Sequence, residues 1–372
     1  MQQTTAEKRV LVLQGGGALG AYQAGAYEAL ANEGHSLDWL AGISIGAINA
    51  AIIVGNPPEK RVAQLRAFWN KVSSGLQGAS FIPGTQGRTA FNELSSWMAT
   101  MFGIPGFFAP RPISPLLSWP GSREATSFYD TSALYETLEE LVDFDLINSK
   151  APRLSVGAVN VKTGNFRYFD NHQEKLRAEH ILASGALPPG FPAVEIDGEF
   201  YWDGGLVSNT PLYEVIDTAG PEENLCIFQI DLFSAQGRLP ETIMDAAERE
   251  KEIRFSSRTR MNTQSAMNEQ RLKQAAMNLL KKLPDSLKND PDAQVLAETT
   301  KAGGITVLHL INREQIYDTQ SKDYEFSRLS VDEHWQNGFD DAKHALSDKA
   351  WKARAIPAKG MVTFDNGKVV QS

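Results

Sequence analysis

Near its start, the chain passes twice from a short apolar segment through a glycine-rich turn into an apolar helical pattern. The two apolar segments are residues 9–13 and 37–41, and each runs into a turn that contains glycine. Short apolar runs of this kind are typical of buried strands, and apolar residues at helical spacing follow both turns. Consecutive strand–turn–helix units require a mainly parallel sheet covered by helices on both faces. The sequence therefore predicts an α/β protein.

The second turn, residues 42–46, fits the pattern G-x-S-x-G with Ser44 at its centre. Gly42 and Gly46 allow a sharp turn between strand and helix, which lifts the serine hydroxyl out of the sheet at a helix N-terminus. So short a pattern often occurs by chance, but the strand–turn–helix context is the one that a nucleophile elbow requires. We therefore predict that Ser44 is a nucleophile.

The first turn, residues 15–20, offers backbone amides at the start of a helix, which suits a developing oxyanion or a phosphate. The same residues fit G-x-G-x-x-G, so a dinucleotide-dependent oxidoreductase is the main alternative, with Asp38 as its ribose-binding acid. In a dinucleotide site that acid ends the second strand, whereas Asp38 begins it. The order of the residues thus favours a serine hydrolase, with Ser44 as its nucleophile, over the oxidoreductase.

An elbow serine normally works with a histidine that follows an Asp or Glu in the chain. No histidine of this sequence has a convincing context for that role, and Ser44 follows only the second predicted strand, earlier than in α/β-hydrolases. His309 lies in an apolar run and is interpreted as a structural histidine. The six histidines are His35, His172, His180, His309, His334 and His344.

Composition excludes several classes of protein. With 42% hydrophobic and 22% charged residues, the 372-residue chain can bury a large core, and its formal net charge of -9 argues against nucleic acid as a partner. The single cysteine, Cys226, allows neither an intrachain disulfide nor a cysteine-rich metal site. The polar first residues and the short apolar run after them predict no signal peptide or membrane span. We therefore expect a cytoplasmic protein with at most peripheral membrane contact.

The remaining chain gives a coarser prediction. Residues 81–120 lack clear periodicity and are expected to form a long cap or lid. A helix is predicted over residues 132–146, and two hairpins are expected around residues 162–165 and 197–198. Later elements are a strand at 225–232, a mainly helical region at 240–283 and a strand at 305–311.

Three motifs in order resemble the patatin-like phospholipase family. They are the glycine loop, the G-x-S-x-G turn and a D-G-G triplet that begins at Asp203. A D-G-G triplet alone is typical of an ordinary turn, but the order and spacing of all three match the family. Residues 183–192 and 209–211 also resemble segments that flank the family's catalytic aspartate. The resemblance covers about residues 8–232.

This resemblance implies a three-layer sandwich with a mainly parallel central sheet flanked by helices, and it assigns roles to the motif residues. Ser44 would be the nucleophile and Asp203 its base, with no metal or cofactor. With an unperturbed pKa near 3.9, Asp203 would stay ionised at mildly acidic pH unless burial raised that value. The oxyanion hole would be formed by the amides of Gly15, Gly16, Gly17 and Ala18, and the supporting turn glycines would be Gly42, Gly46, Gly204 and Gly205.

The resemblance also implies a division of the chain into two parts, and the sequence differs from the family pattern at one important position. It implies a catalytic core at residues 8–235 and a mostly helical C-terminal extension at 236–372, as in a bacterial subgroup, packing on that core. Many family members carry Arg or Lys where Leu19 stands. The help of that charge to an oxyanion or phosphate is therefore missing here.

The implied function is hydrolysis of lipid esters through an acyl-enzyme, of phospholipase A, lysophospholipase or carboxylesterase type. Intact Ser44 and Asp203 argue against a non-catalytic lipid-binding relative. We expect a lipid or long-chain ester substrate, because apolar residues between Trp97 and Phe108 are suited to line an acyl channel or touch a lipid surface. A second membrane candidate is the basic, leucine-rich segment 271–283. A homo-oligomer is compatible with the sequence.

Overall fold

The computed structural model describes residues 7–75, 84–150, 152–220, 223–237, 239–300, 303–313, 321–357, 360–365 and 367–370. The strands are β1 (Lys8–Leu13), β2 (Trp39–Gly42), β3 (Ala109–Pro110), β4 (Tyr129–Asp130), β5 (Arg153–Asn160), β6 (Phe166–Asp170), β7 (Val194–Ile196), β8 (Glu199–Asp203), β9 (Leu225–Asp231), β10 (Gly304–Ile311), β11 (Gly360–Asp365) and β12 (Lys368–Val370). The helices are α1 (Gly20–Asn32), α2 (Ile45–Val54), α3 (Arg61–Val72), α4 (Thr85–Phe102), α5 (Ser132–Leu141), α6 (Phe144–Asn148), α7 (Ala178–Ser184), α8 (Leu212–Thr218), α9 (Ile243–Leu280), α10 (Pro291–Thr299), α11 (Arg328–Ser347) and α12 (Lys349–Lys352).

Ten of the described strands form one central sheet in the order β12-β11-β10-β9-β1-β2-β5-β8-β7, with β6 paired to β5. The middle of the sheet, from β11 to β5, is parallel, and the antiparallel pairs lie at its two margins. Residues 10–12 of the central strand β1 are completely buried, as expected of a strand covered on both faces. The predicted α/β fold with a mainly parallel sheet flanked by helices is confirmed.

The C-terminal third of the chain continues this sheet. Strand β10 pairs in parallel with β9 along its whole length, and β11 extends the sheet further. Helix α11 packs against α1 so closely that a Cβ at Gly25 would lie 1.9 Å from the carbonyl oxygen of Trp335. At the same crossing a Cβ at Gly338 would lie 1.9 Å from the carbonyl oxygen of Tyr22. A division of the chain at residue 235 stays a prediction.

Both predicted hairpins are confirmed as β5–β6 and β7–β8, and so is the long helical region, which forms α9. The prediction of an aperiodic segment at 81–120 was wrong in part, because α4 occupies Thr85–Phe102; residues 81–83 lie outside the described range. That helix leaves large apolar side chains exposed, which hides its periodicity.

The single helix predicted at 132–146 is also divided in the structure. It breaks at Val142, and the Asp143 side chain accepts the amide of Leu146 to begin α6. Among the described residues, no helix has the length and apolar character needed to cross a membrane.

Candidate active site

The Ser44 backbone forms a strained turn between β2 and α2. Ser44 has φ 55° and ψ −123°, a conformation that is sparsely populated for residues other than glycine and recurs at functional sites. The flanking glycines are required sterically, because a Cβ at Gly46 would lie 2.4 Å from the carbonyl oxygen of Leu13. A Cβ at Gly42 would similarly lie 2.4 Å from the carbonyl oxygen of Gly46. The turn holds Ser44 at the N-terminus of α2, as predicted for an elbow.

A second serine stabilises this turn. The Ser44 amide donates to Ser184 Oγ at 3.0 Å, and the Ser184 hydroxyl donates to the carbonyl oxygen of Gly157 on β5 at 2.7 Å. Ser184 is completely buried at the end of α7. It therefore links the strained residue to the sheet. Sequence reasoning noted Ser184 only as part of a flanking segment and did not find this role.

Asp203 reaches Ser44 because of the register of β8. Strand β8 runs antiparallel to β5 and places Asp203 opposite Ala158, two residues beyond Val156, the partner of Gly42 on β2. At that level the chain leaving β2 carries Ser44, and the Ser44 side chain lies close enough to the Asp203 carboxylate to lower its pKa. The structure thus brings together the two residues that the sequence analysis paired.

The Asp203 carboxyl is buried and has few hydrogen-bond donors. The residue is 3% exposed, and its Oδ1 accepts the amide of Gly205 at 2.7 Å. Burial raises the pKa of this carboxyl to about 6, while the nearby Ser44 side chain and the Gly205 amide act in the opposite direction. A carboxylate with a raised pKa is a stronger base than an exposed one.

The glycine loop lies directly against the serine. A Cβ at Gly15 would lie 3.0 Å from the Cβ of Ser44 and 2.4 Å from Asn209 Oδ1. The Gly15 amide donates to the carbonyl oxygen of Asn209 at 3.2 Å. The next three amides, those of Gly16, Gly17 and Ala18, have no acceptor among the described residues. The loop therefore has three N–H groups without an acceptor among the described residues, and two of their residues, Gly16 and Gly17, line the same pocket as Ser44.

A buried polar network fixes the ends of this loop. Gln23 Nε2 donates to the carbonyl oxygen of Gln14 at 2.7 Å, and Asn49 Nδ2 donates both to Gln23 Oε1 and to the carbonyl oxygen of Gly20. Trp69 Nε1 in turn donates to Asn49 Oδ1 at 3.1 Å. All four side chains are buried, and a satisfied network of this kind makes a loop rigid.

Ser44 and Asp203 line a pocket of about 120 Å³ whose wall comes from three parts of the chain. The core contributes the glycine loop, and the cap region contributes Phe107 and Phe108. The C-terminal third contributes a cation–carboxylate pair in which Lys251 Nζ donates to Asp323 Oδ2 at 2.5 Å. The C-terminal third also contributes Phe255, Tyr324 and Phe326 to the lining of the pocket. No sequence signal had assigned chemistry to these residues.

None of the six histidines lines this pocket. His309 is partly buried and His334 is buried, both away from this pocket, and desolvation lowers the pKa of each to about 4. The candidate ribose-binding acid, Asp38, accepts the amide of Arg9 at 2.8 Å, at the edge of the sheet opposite the glycine loop. Asp38 is therefore too far from the glycine loop to bind the ribose of a dinucleotide held there, which removes the main support for the oxidoreductase alternative. Among the described residues, no three His, Cys, Asp or Glu side chains are grouped as a metal site would require.

Two comparisons with solved structures return distant likenesses. VipD from Legionella pneumophila is 16% identical with a TM-score of 0.39, covering 91% of this chain and 66% of VipD. The heterodimeric ExoU–SpcU complex from the type III secretion system of Pseudomonas aeruginosa matches with 17% identity and a TM-score of 0.29, covering 79% of this chain and 58% of the matched one.

Comparisons of the sequence identify the family. A cGAMP-activated phospholipase of Pseudomonas aeruginosa (strain BWHPSA011 / Pa011) is 31% identical over an alignment of 114 residues that covers 27% of this chain and about a third, 34%, of that relative. Residues 253–358 match the family model DUF3734, described as patatin phospholipase. Residues 11–216 match the model described as patatin-like phospholipase. Because that second match covers more than half of the chain, including the elbow and Asp203, the protein belongs to the patatin-like phospholipase family.

Proposed function

We propose that the protein is a serine acyl hydrolase that cleaves lipid esters through an acyl-enzyme, with Ser44 and Asp203 as a catalytic dyad. One observation carries this proposal. The side chain of Ser44 lies beside the buried carboxylate of Asp203, in one pocket with the glycine loop, whose next three amides after Gly15 have no acceptor among the described residues. A nucleophile, a base and oxyanion donors in one pocket are the groups that acyl transfer needs.

In the proposed reaction, Asp203 accepts the proton of Ser44 as Oγ attacks the ester carbonyl carbon. The negative charge that develops on the carbonyl oxygen is stabilised by the amides of Gly16, Gly17 and Ala18. Protonated Asp203 then donates its proton to the leaving alkoxide, which departs as an alcohol and leaves an ester on Ser44. Water repeats the cycle, with Asp203 again the base, and releases the fatty acid.

The amide of Gly15 is less suited to the oxyanion hole than those of the next three residues. It is occupied by the carbonyl oxygen of Asn209, and an N–H that already has a backbone acceptor has less to offer a second one. We therefore propose a hole of three amides rather than the four that the sequence suggested. Gly15 then contributes by the close approach of its backbone to Ser44.

A second, apolar cavity supports a long acyl chain as part of the substrate. This cavity, which we call the acyl chamber, has a volume of about 320 Å³ and adjoins the catalytic pocket, since Phe108 and Phe326 line both. Its other apolar lining residues include Val72, Met98, Ala99, Phe102, Ile104 and Pro105. Apolar cavities of this size are typical of ligand sites. We propose that the acyl chain of the ester lies in this chamber.

The pocket also offers a contact for a phosphate group. Leu19 of the glycine loop is completely buried and brings no charge, so the loop offers an anion its backbone amides but no cationic side chain. Lys251 stands in the pocket wall, and one of its three N–H donors is directed to Asp323. We propose that a remaining donor contacts the phosphodiester of a phospholipid or lysophospholipid substrate.

Covalent labelling tests the proposed function. We expect a fluorophosphonate to form one adduct, at Ser44, that mass spectrometry locates and that Ser44→Ala abolishes. An unlabelled folded protein would favour a non-catalytic lipid-binding relative. Binding of NADH by an unlabelled protein would instead favour the oxidoreductase alternative.

A further inference from the structure

Two groups of exposed apolar side chains lie in the cap region, at the end of α4 and in the loop after β3. The helix part consists of Trp97, Met101 and Phe102 at the end of α4, where Trp97 contacts Phe102 with ring centroids 6.2 Å apart. The loop part consists of Leu116, Leu117 and Trp119 in the segment after β3, each more than 80% exposed. We call these six side chains the cap surface. Single exposed apolar residues are common, but clusters of large ones mark interaction sites.

The cap surface is electrically neutral. Between residues 94 and 119 the sequence contains one charged residue, Arg111. Its side chain is 8% exposed, lies 3.6 Å from the carboxylate of Asp130 and donates to Ser127. No charge from this stretch is therefore presented to a partner, so the attraction that the surface offers is burial of apolar area and not ion pairing.

The helix part of the cap surface is continuous with the acyl chamber. Phe102 is 68% exposed on the outside and also lines the chamber, together with Met98 one turn earlier on the same helix. At its inner end the chamber shares Phe108 and Phe326 with the pocket that holds Ser44. Apolar side chains therefore line the way from the protein surface to the pocket of the nucleophile, with Phe108 and Phe326 as the wall that the two cavities share.

We propose that the cap surface inserts into the interfacial region of a phospholipid bilayer and that the acyl chain of a bilayer lipid enters the chamber from there. Trp97 and Trp119 suit this position, because tryptophan is enriched at membrane interfaces. The use of this contact rests on the proposed lipid hydrolysis, but the binding itself does not require Ser44. A neutral apolar surface binds zwitterionic lipid, and its binding depends little on salt.

A different surface of the same protein provides the matched comparison. On α9, Leu272 and Leu279 are 71% and 58% exposed, and Arg271 and Lys273 lie beside Leu272. Membrane binding through that helix would depend on anionic lipid and would weaken as salt screens the charges. The two surfaces thus predict opposite responses to lipid charge and to ionic strength.

The test uses Ser44→Ala protein, which keeps the vesicles intact, and sedimentation with phosphatidylcholine vesicles at low and high salt. Removal of the loop part by Leu116→Ser, Leu117→Ser and Trp119→Ser together should weaken partitioning by about 100-fold or more, from the apolar area lost. Leu272→Ser with Leu279→Ser should leave partitioning within about threefold of the parent, which is about 0.65 kcal/mol. Equal thermal unfolding temperatures would establish that both variants are folded.

Several results would overturn the proposal. One is no binding of the parent to phosphatidylcholine vesicles, and another is equal loss of binding in the two variants. A third is binding that requires phosphatidylglycerol and disappears at high salt. A concentration-dependent dimer that the loop substitutions dissociate, without vesicle binding, would assign the surface to a second copy of the chain. Because the assay measures binding by an inactive variant, these results are independent of whether native protein labels at Ser44.

Discussion

Around Ser44 the backbone is held by buried hydrogen bonds, whereas the cap surface above the acyl chamber exposes large apolar side chains to water. Gln14, Asn49 and Ser184 are completely buried and hydrogen-bonded, while Leu116 and Trp119 are each 85% exposed. The first arrangement makes the geometry of the catalytic groups rigid, which electrostatic stabilisation of a transition state requires. The second arrangement exposes apolar area to water, which is unfavourable in free energy until a partner or a lipid covers it.

The two regions should therefore respond differently to substitution. A change at the serine or its base should slow hydrolysis of every ester, whatever the length of its acyl chain. A change in the cap region or the chamber should alter the preference among substrates. Experiments that compare short with long esters, or neutral with phosphate-containing ones, test this separation.

The largest effect is expected for Asp203→Asn, which keeps the shape of the side chain but removes the proton acceptor. Loss of a general base typically lowers the rate by ~100 to ~10,000-fold, and we expect the same loss for short and long p-nitrophenyl esters. Asp231→Asn is the matched control, because Asp231 is also buried at a strand end, its pKa is raised to about 7 by burial, and it does not line the pocket. That control should keep most of the activity.

The pH dependence of wild-type activity belongs to the same experiment. Because the pKa of Asp203 is about 6, activity should decline as pH falls below that value and the base becomes protonated. An imidazole base titrates near ~6.5, so the pH profile alone does not separate the two. The dyad would be wrong if Asp203→Asn kept most of the activity, or if His309→Ala abolished it in a folded protein.

The next effect concerns chain length and is expected for Ala99→Trp. Ala99 is buried in the wall of the acyl chamber, so an indole there fills space that the acyl chain would occupy. Each methylene excluded from an apolar site costs ~0.8 kcal/mol, so the ratio of long-chain to short-chain kcat/KM should fall by ~10 to ~100-fold. Ala90→Trp is the control, since Ala90 is exposed on the same helix. An unchanged ratio in Ala99→Trp would remove the chamber from substrate binding.

A smaller effect is expected for Lys251→Gln, measured as the ratio of kcat/KM for a lysophospholipid to that for a monoacylglycerol of equal chain length. A hydrogen bond to a charged group contributes ~1.5 to ~3 kcal/mol, so this ratio should fall by about tenfold or more. Lys273→Gln is matched to it: on the same helix, Lys273 forms an ion pair with Glu269 and does not line the pocket. Equal changes in the two variants would mean that Lys251 serves only to hold the pocket wall.

The smallest effect is one of stability. A folded-state pKa of about 6 for Asp203, against 3.8 for the unperturbed group, means that the folded protein holds this proton more tightly than the unfolded chain. The free energy of unfolding therefore decreases as pH rises from about 4 to above 6, by about 3 kcal/mol for two pKa units. Asp203→Asn avoids this loss and should unfold a few degrees higher than wild type at pH 8, with a smaller difference at pH 4. If Asp203→Asn showed no pH-dependent gain in unfolding temperature, burial would not destabilise the ionised form of Asp203.

The sequence by itself determined the features that depend on neighbouring residues. Glycines at 42 and 46 and the apolar segments around them specify the elbow. The conflict that excludes a Cβ at Gly42 arises within the turn itself, with the carbonyl oxygen of Gly46, whereas the conflict at Gly46 is with Leu13 on the neighbouring strand. The sequence likewise specifies the glycine loop, the two hairpins and the long helix α9. Local periodicity failed at α4, whose apolar side chains point both into the chamber and out to solvent.

Only the tertiary structure decided how distant residues meet. The register of β8 on β5 brings Asp203 to Ser44, and the Ser184 hydroxyl holds the Ser44 amide across 140 residues of chain. Lys251 and Asp323 complete the pocket from the C-terminal third. The solvent exposure of a side chain is a property of the packed molecule: it is low at Asp203, whose pKa is raised, and high on the cap surface. No local pattern encodes it, because the atoms that exclude water from a carboxyl come from every element around it.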